Sequence, residues 1–110
     1  TLARSQVRGG ISQMLGYTFT EDMIIDKATG IVLNANYLDH KSPTIWDIPE
    51  IDVVFVGIDD PEGPYGAKSL GEPPSIGPAP AIANAIYDAT GKRYVDLPIS
   101  VDKILGNSEL

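Results

Sequence analysis

A chain of 110 residues, 43% hydrophobic and 21% charged, fits one small globular unit and excludes a disordered tail. The net charge of −7 sets the surface against phosphate backbones and excludes general nucleic-acid binding. The absence of cysteine excludes disulfides, thiolate zinc sites and iron–sulfur ligation within the chain, and it fits either redox environment. No apolar run approaches the roughly 20 residues a bilayer span needs, and no leader pattern is visible. A cytoplasmic location is expected. Helical periodicity starts almost at Thr1, which reads as a piece of a longer chain.

The periodicity predicts a first helix over Arg4–Phe19, with Val7, Ile11, Met14, Leu15 and Phe19 on its apolar stripe. The other side carries Gln6, Gly9, Gly10, Gln13 and Gly16. Glycine inside a helix costs about 1 kcal/mol relative to alanine. Three of them call for something packed close to the backbone, either another element or a ligand. A hairpin follows: Met23–Ile25 and Ile31–Leu33 flank the polar turn Asp26–Gly30. Residues Asn34–Pro49 read as an extended connection. Ile51–Ile58 is the strongest strand signal, apolar on both faces at Val53-Val54-Phe55-Val56, as a central strand would be.

Asp59–Pro74 is rich in glycine and proline and reads as a loop. A second long helix starts near Pro78 or Pro80 and runs to about Thr90, with Ala79, Ile82, Ala83 and Ile86 as its stripe and Gly91 as its C-cap. A short helical turn over Ser100–Leu105, N-capped by Ser100, closes the chain. The order α-β-β-β-α predicts an α+β fold: two main helices packed on a small mixed or antiparallel sheet.

The loop around Lys68-Ser69 is not a phosphate-binding P-loop. Ala67 separates Gly66 from Lys68, and no helix begins directly after Ser69. Glu72 lies between Gly71 and Pro73. A residue before proline is pushed toward an extended backbone, and the neighbouring glycine admits a close approach. A catalytic carboxylate needs such a fixed position; a loop glutamate is otherwise ordinarily solvated. His40 is the sole histidine and cannot build a zinc site alone. Asp59, Asp60 and Glu62 lack the spacing of a calcium loop and read as a solvated turn. Trp46 and Tyr37 read as core or interface packing, with pocket lining as the alternative.

Five blocks, in order, resemble one family. Gln6-Val7-Arg8-Gly9-Gly10 with Gln13-Met14-Leu15-Gly16 resembles the glycine-rich helix of the molybdenum hydroxylases. Tyr37–Pro49, with Lys41-Ser42-Pro43-Thr44 and Asp47-Ile48-Pro49, is similar to the connection that follows it. Gly66-Ala67-Lys68-Ser69-Leu70-Gly71-Glu72-Pro73-Pro74 resembles the catalytic loop of that family, often written GAKGxGE. Ala81–Ile86 with Asp88-Ala89-Thr90-Gly91 resembles its last long helix, and Leu97-Pro98 with Lys103-Ile104-Leu105 its closing segment. Ser69 departs from the commoner glycine or alanine, and His40 stands where tyrosine is frequent.

On this resemblance, residues 1–110 are a C-terminal fragment of the molybdopterin-binding large subunit of the xanthine dehydrogenase/aldehyde oxidase family. The resemblance implies a molybdenum–molybdopterin cofactor in the full-length parent, with a 2Fe-2S centre and FAD on other domains or subunits. It implies hydroxylation of aldehydes or purine-like N-heterocycles with water-derived oxygen. Carried over by position, Glu72 is the base that activates the molybdenum-bound hydroxide. Gln6 hydrogen-bonds the pterin, and Lys68, Ser69, Leu70 and Gly71 line the pocket through their backbone. No residue of the chain is expected to ligate metal. The expected partners are the remainder of the large subunit, the iron–sulfur and flavin parts and a small-molecule substrate. The fragment itself is expected to be inactive and to self-associate. Two other readings stay open: a structural or dimer-forming piece of the same parent, and an unrelated small α+β ligand-binding domain.

Overall fold

The computed structural model describes residues 1–106. Helix α1 spans Leu2–Phe19, α2 spans Pro78–Thr90 and α3 spans Val101–Leu105. Short 3₁₀ turns lie at Ile45–Asp47, Pro64–Gly66 and Pro73–Ser75. The three helices fall where the periodicity and the caps place them. Gly91 ends α2 in the left-handed conformation at φ 70°, its N–H donating to the Tyr87 carbonyl. Ser100 caps α3, its hydroxyl accepting from the Lys103 N–H.

The architecture is helix against helix and loop. α1 packs on α2 and on the Pro73–Ser75 turn. The closing segment returns to the far end of α1, where the Ile99 N–H donates to the Thr18 carbonyl at 2.6 Å. Ile99 is the fully buried apolar side chain there, beside the buried Thr18, whose hydroxyl donates back to the Met14 carbonyl. On α1 the best-covered positions are Gly10, Gly16 and Thr18, while the stripe Val7, Ile11, Met14, Leu15 and Phe19 is half-buried. A Cβ on Gly16 would collide with the Glu21 carboxylate and lie 2.6 Å from Pro43 Cδ. The side of α1 that carries glycine is thus the side the chain folds back upon.

The α+β expectation is overturned: the described residues contain no sheet. The hairpin survives as its turn. Gly30 takes φ 75°, its N–H donates to the Asp26 carbonyl, and the Asp26 N–H donates to Ile31. The ladder stops at a single antiparallel bridge between Ile25 and Val32. Ile51–Ile58, expected as the central strand, forms no strand, and none of its backbone groups has a hydrogen-bond partner among the described residues. Val54, Val56 and Ile58 are 85%, 81% and 67% exposed. The physical reason is that a strand exists only through a neighbour. β-branched, two-faced apolarity favours extended backbone, but the ladder needs a second chain segment within about 4.8 Å. The molecule measures 53 × 36 × 28 Å with a radius of gyration of 17.5 Å. A compact chain of this length has about 13 Å. No helix among the described residues is long and apolar enough to cross a membrane.

Candidate functional site

The residues singled out in the sequence converge on one end of α1. Gln6 sits in its second turn, and its Nε2 donates to the carbonyls of Gly71 at 3.3 Å and Leu70 at 3.5 Å. One turn further on, Gly10 faces the Pro73–Ser75 turn. A Cβ built there would lie 2.9 Å from Pro74 Cβ and 3.3 Å from both the Pro74 carbonyl carbon and the Ser75 nitrogen. Of the two explanations for the glycines, close packing of another element holds at Gly10 and Gly16. At Gly9 nothing in the chain comes within 4 Å of a Cβ position.

Between these two attachments lies Glu72. Its backbone is at φ −109°, ψ 1°, not in the extended region expected before a proline. The cause is local: its carbonyl accepts from the Ser75 N–H at 2.8 Å and closes the 3₁₀ turn. This part of backbone space is sparsely populated and recurs in active sites. The carboxylate is exposed, as are Lys68, Ser69 and Gly71, while Leu70 is half-buried. A tight turn leads into the loop. Tyr65 and Gly66 are both left-handed, at φ 56° and 74°, and the Gly66 carbonyl accepts from the Asp60 N–H.

The loop leaves hydrogen-bonding capacity unused among the described residues. Along Lys68–Glu72 none of the five consecutive backbone N–H groups has a partner among the described residues. The Gln6 Oε1 accepts no hydrogen bond from them either, its amide nitrogen being engaged with the loop. The Ser75 hydroxyl oxygen is buried and without a partner. A run of unpartnered N–H donors beside an amide acceptor fits a large polar heterocycle with a phosphate tail. The molybdopterin expected from the sequence is such a group, so the residues present fit it.

The other sequence candidates do not join this cluster. No group of three or more potential ligands stands close enough to hold a metal ion among the described residues. Asp60 accepts from the Glu62 N–H within its own turn. His40 and Tyr37 line a shallow groove of about 600 Å³ with Tyr17, Glu21, Met23 and Asn34, away from Glu72. Trp46 is 93% exposed and Tyr37 is 97% exposed, so neither packs in a core here. Asp47 caps the turn that holds Trp46: its carboxylate accepts from the backbone N–H and the hydroxyl of Thr44, which hold its pKa below the ordinary aspartate value. Sequence reasoning missed the Gly10–Pro74 seat and the orphaned Ser75 hydroxyl. Gly9-Gly10 and Pro73-Pro74 were both visible signals, but nothing in the sequence linked them.

Comparison with known proteins decides the family. A family model for the molybdopterin cofactor-binding domain matches residues 1–49, the part that contains Gln6 and Gly10. The chain is 46% identical over 103 residues to the putative xanthine dehydrogenase molybdenum-binding subunit of Escherichia coli K12, covering 94% of this chain and 14% of that protein. The chain belongs to the family of xanthine dehydrogenase and aldehyde oxidoreductase molybdenum-binding subunits. The aldehyde oxidoreductase molybdenum-binding subunit of the same organism is 39% identical over 104 residues, again 94% of this chain and 14% of that protein. Among solved structures, quinoline 2-oxidoreductase from Pseudomonas putida 86 superposes with a TM-score of 0.84 at 28% identity, over 94% of this chain and 13% of that one. The chain therefore spans about one seventh of the length of the curated relatives it matches.

Proposed function

We propose that this chain carries the proton-accepting loop and one wall of the cofactor pocket of a molybdenum hydroxylase acting on aldehydes or purine-like N-heterocycles. The observation that carries the reading is the Gln6 amide bridging to the Leu70 and Gly71 carbonyls. It joins the segment that matches the cofactor-binding family to the loop that ends in Glu72, 65 residues away from Gln6 at the Gly71 bond.

Gln6 would hold the pterin through its remaining amide oxygen. Lys68, Ser69, Leu70 and Gly71 would line the pocket with their free backbone N–H groups. When bound, the molybdopterin cofactor supplies the redox chemistry, taking up the two electrons removed from substrate. Glu72 does the proton chemistry. Its carboxylate has two acceptor oxygens and no donor, so it takes the proton from the water-derived nucleophile as that oxygen bonds to the electrophilic carbon and the C–H bond there breaks, the electron pair of that bond being the two electrons removed and its proton passing to solvent. Fixing both sides of the loop before substrate arrives removes an entropic cost from that step. 2Fe-2S and FAD on other domains or subunits would carry the electrons onward, and these with the remainder of the large subunit would be the partners of this chain.

The test is Glu72→Gln in the complete subunit. The amide keeps the shape of the side chain but cannot accept the proton. General-base catalysis contributes about 10²–10⁴-fold, and a loss of at least that size in single-turnover reduction of molybdenum by substrate is expected, with metal content unchanged. A variant with full molybdenum content that is reduced within a few-fold of the normal rate would show that Glu72 is not the base. It would favour the reading of this chain as a structural piece of its parent.

A further inference from the structure

We propose that Gly10 is a positioning residue for Glu72: the bare backbone of α1 at this point is the seat on which the Pro73–Ser75 turn rests. The inference rests on the reading of Glu72 as the base and adds the element that fixes it. Gly10 is buried, and the atoms nearest its missing Cβ are Pro74 Cβ, the Pro74 carbonyl carbon and the Ser75 nitrogen. Two of these three are backbone, and the third belongs to a proline ring, so none can swing aside as a flexible side chain would. The Ser75 nitrogen also donates to the Glu72 carbonyl. A push on Ser75 is therefore a push on the residue whose carboxylate does the chemistry.

The geometry is two-sided. Gln6 ties the loop ahead of Glu72 by its carbonyls, and Gly10 seats the turn behind it. Both sit on the same face of one helix, four residues apart, and a helix places such residues one above the other. The distance between the two attachments is thus set by a rigid element, and the single residue between Gly71 and Pro73 is Glu72. A methyl group at position 10 would separate α1 from the turn by a few tenths of an ångström to an ångström. Misplacement on that scale costs on the order of 10²-fold in rate. It would not weaken α1, because alanine is the better helix former.

The experiment is Gly10→Ala in the complete, cofactor-loaded subunit, alone and combined with Glu72→Gln. The expected result is a fall in kcat on the order of 10²-fold with KM and molybdenum content little changed. Hydrogen exchange should quicken in the peptide covering residues 68–76 and stay unchanged across α2. In the Glu72→Gln background, with single-turnover reduction followed over hours, Gly10→Ala should cost nothing further, because the residue through which it acts is already disabled. An equal fold-loss in both backgrounds, or turnover within two-fold of normal with unchanged exchange, would overturn the proposal. If Gly10→Ala does not accumulate folded, Pro74→Gly removes the Cβ it would meet. Because the Pro74 carbonyl carbon and the Ser75 nitrogen still lie 3.3 Å from that position, the double variant Gly10→Ala/Pro74→Gly should accumulate folded yet turn over more slowly than Pro74→Gly, and equal activity of the two would refute the seat. Normal turnover of Glu72→Gln itself would sink the base assignment instead. The exchange measurement would still decide whether Gly10 holds the turn.

Discussion

Val54→Asp with Val56→Asp should relieve self-association of the 110-residue chain while disrupting the complete subunit. The accessible surface of the chain is 8815 Å². A compact monomer of its mass exposes about 5,900 Å². The excess, about 2,900 Å², is more than three times the roughly 800 Å² that one partner contributes to a standard interface. Part of it lies along Ile51–Ile58, where unpaired backbone and exposed Val54, Phe55 and Val56 present an open strand edge. In the isolated chain the two valines are 85% and 81% exposed, so the double substitution should change its own stability by no more than about 0.5 kcal/mol per site. In sedimentation velocity the unsubstituted chain should form dimers or larger species at high micromolar concentration, and the aspartates should shift it toward monomer. In the complete subunit the same side chains are expected to be covered on both faces. There each aspartate forfeits about 1.5–3 kcal/mol of valine burial and adds the cost of an unpaired charge. A strictly monomeric parent chain, or a complete subunit whose thermal unfolding is unmoved by the double substitution, would refute the argument from exposed surface.

Two further outcomes follow from the same structure. The purified 110-residue chain should show no turnover of aldehydes or purines with added molybdopterin and a dye acceptor, because Glu72 and its loop stand exposed and the chain spans only about one seventh of the length of its relatives; measurable hydroxylation would contradict this. Asp47 should titrate below the ordinary aspartate value in a carboxyl-carbon NMR titration, since the Thr44 N–H and hydroxyl favour its charged form. Because its folded pKa is lowered, its contribution to the turn is present above the ordinary aspartate value and is lost as pH falls through the folded one. Thr44→Val should move Asp47 back upward, and an unmoved Asp47 would break the link.

What could be read in the sequence divides along the range of the interactions involved. The two long helices, the αL cap at Gly91, the Ser100 cap and the Asp26–Gly30 turn are all written by residues within four or five positions of one another. Their backbone partners are local too, as in the Gly91 N–H to Tyr87 and the Lys103 N–H to the Ser100 hydroxyl. Period and capping chemistry suffice for such elements. Ile51–Ile58 carries as strong a pattern as either helix, yet its pattern states a need for neighbours without containing them. A fragment can satisfy a helix from within, whereas an apolar strand must be completed from elsewhere.

The site obeys the same division at a finer scale. Glu72 stands out locally, between a glycine and two prolines, and its loop is in place. Its backbone angle, however, could not be read from the following proline, because the Ser75 N–H adds a hydrogen bond that outweighs the preference for extended backbone. The contact between Gly10 and Pro74 was out of reach for a different reason. A glycine announces that something comes close without naming it, and a proline pair announces rigidity without naming what it rests on. Only the fold brings the two statements together, 64 positions apart at the neighbouring bond from Gln6 to Leu70. That pairing gives the glycine-rich face of α1 a role that close packing alone does not supply: it sets where the carboxylate stands before any substrate arrives.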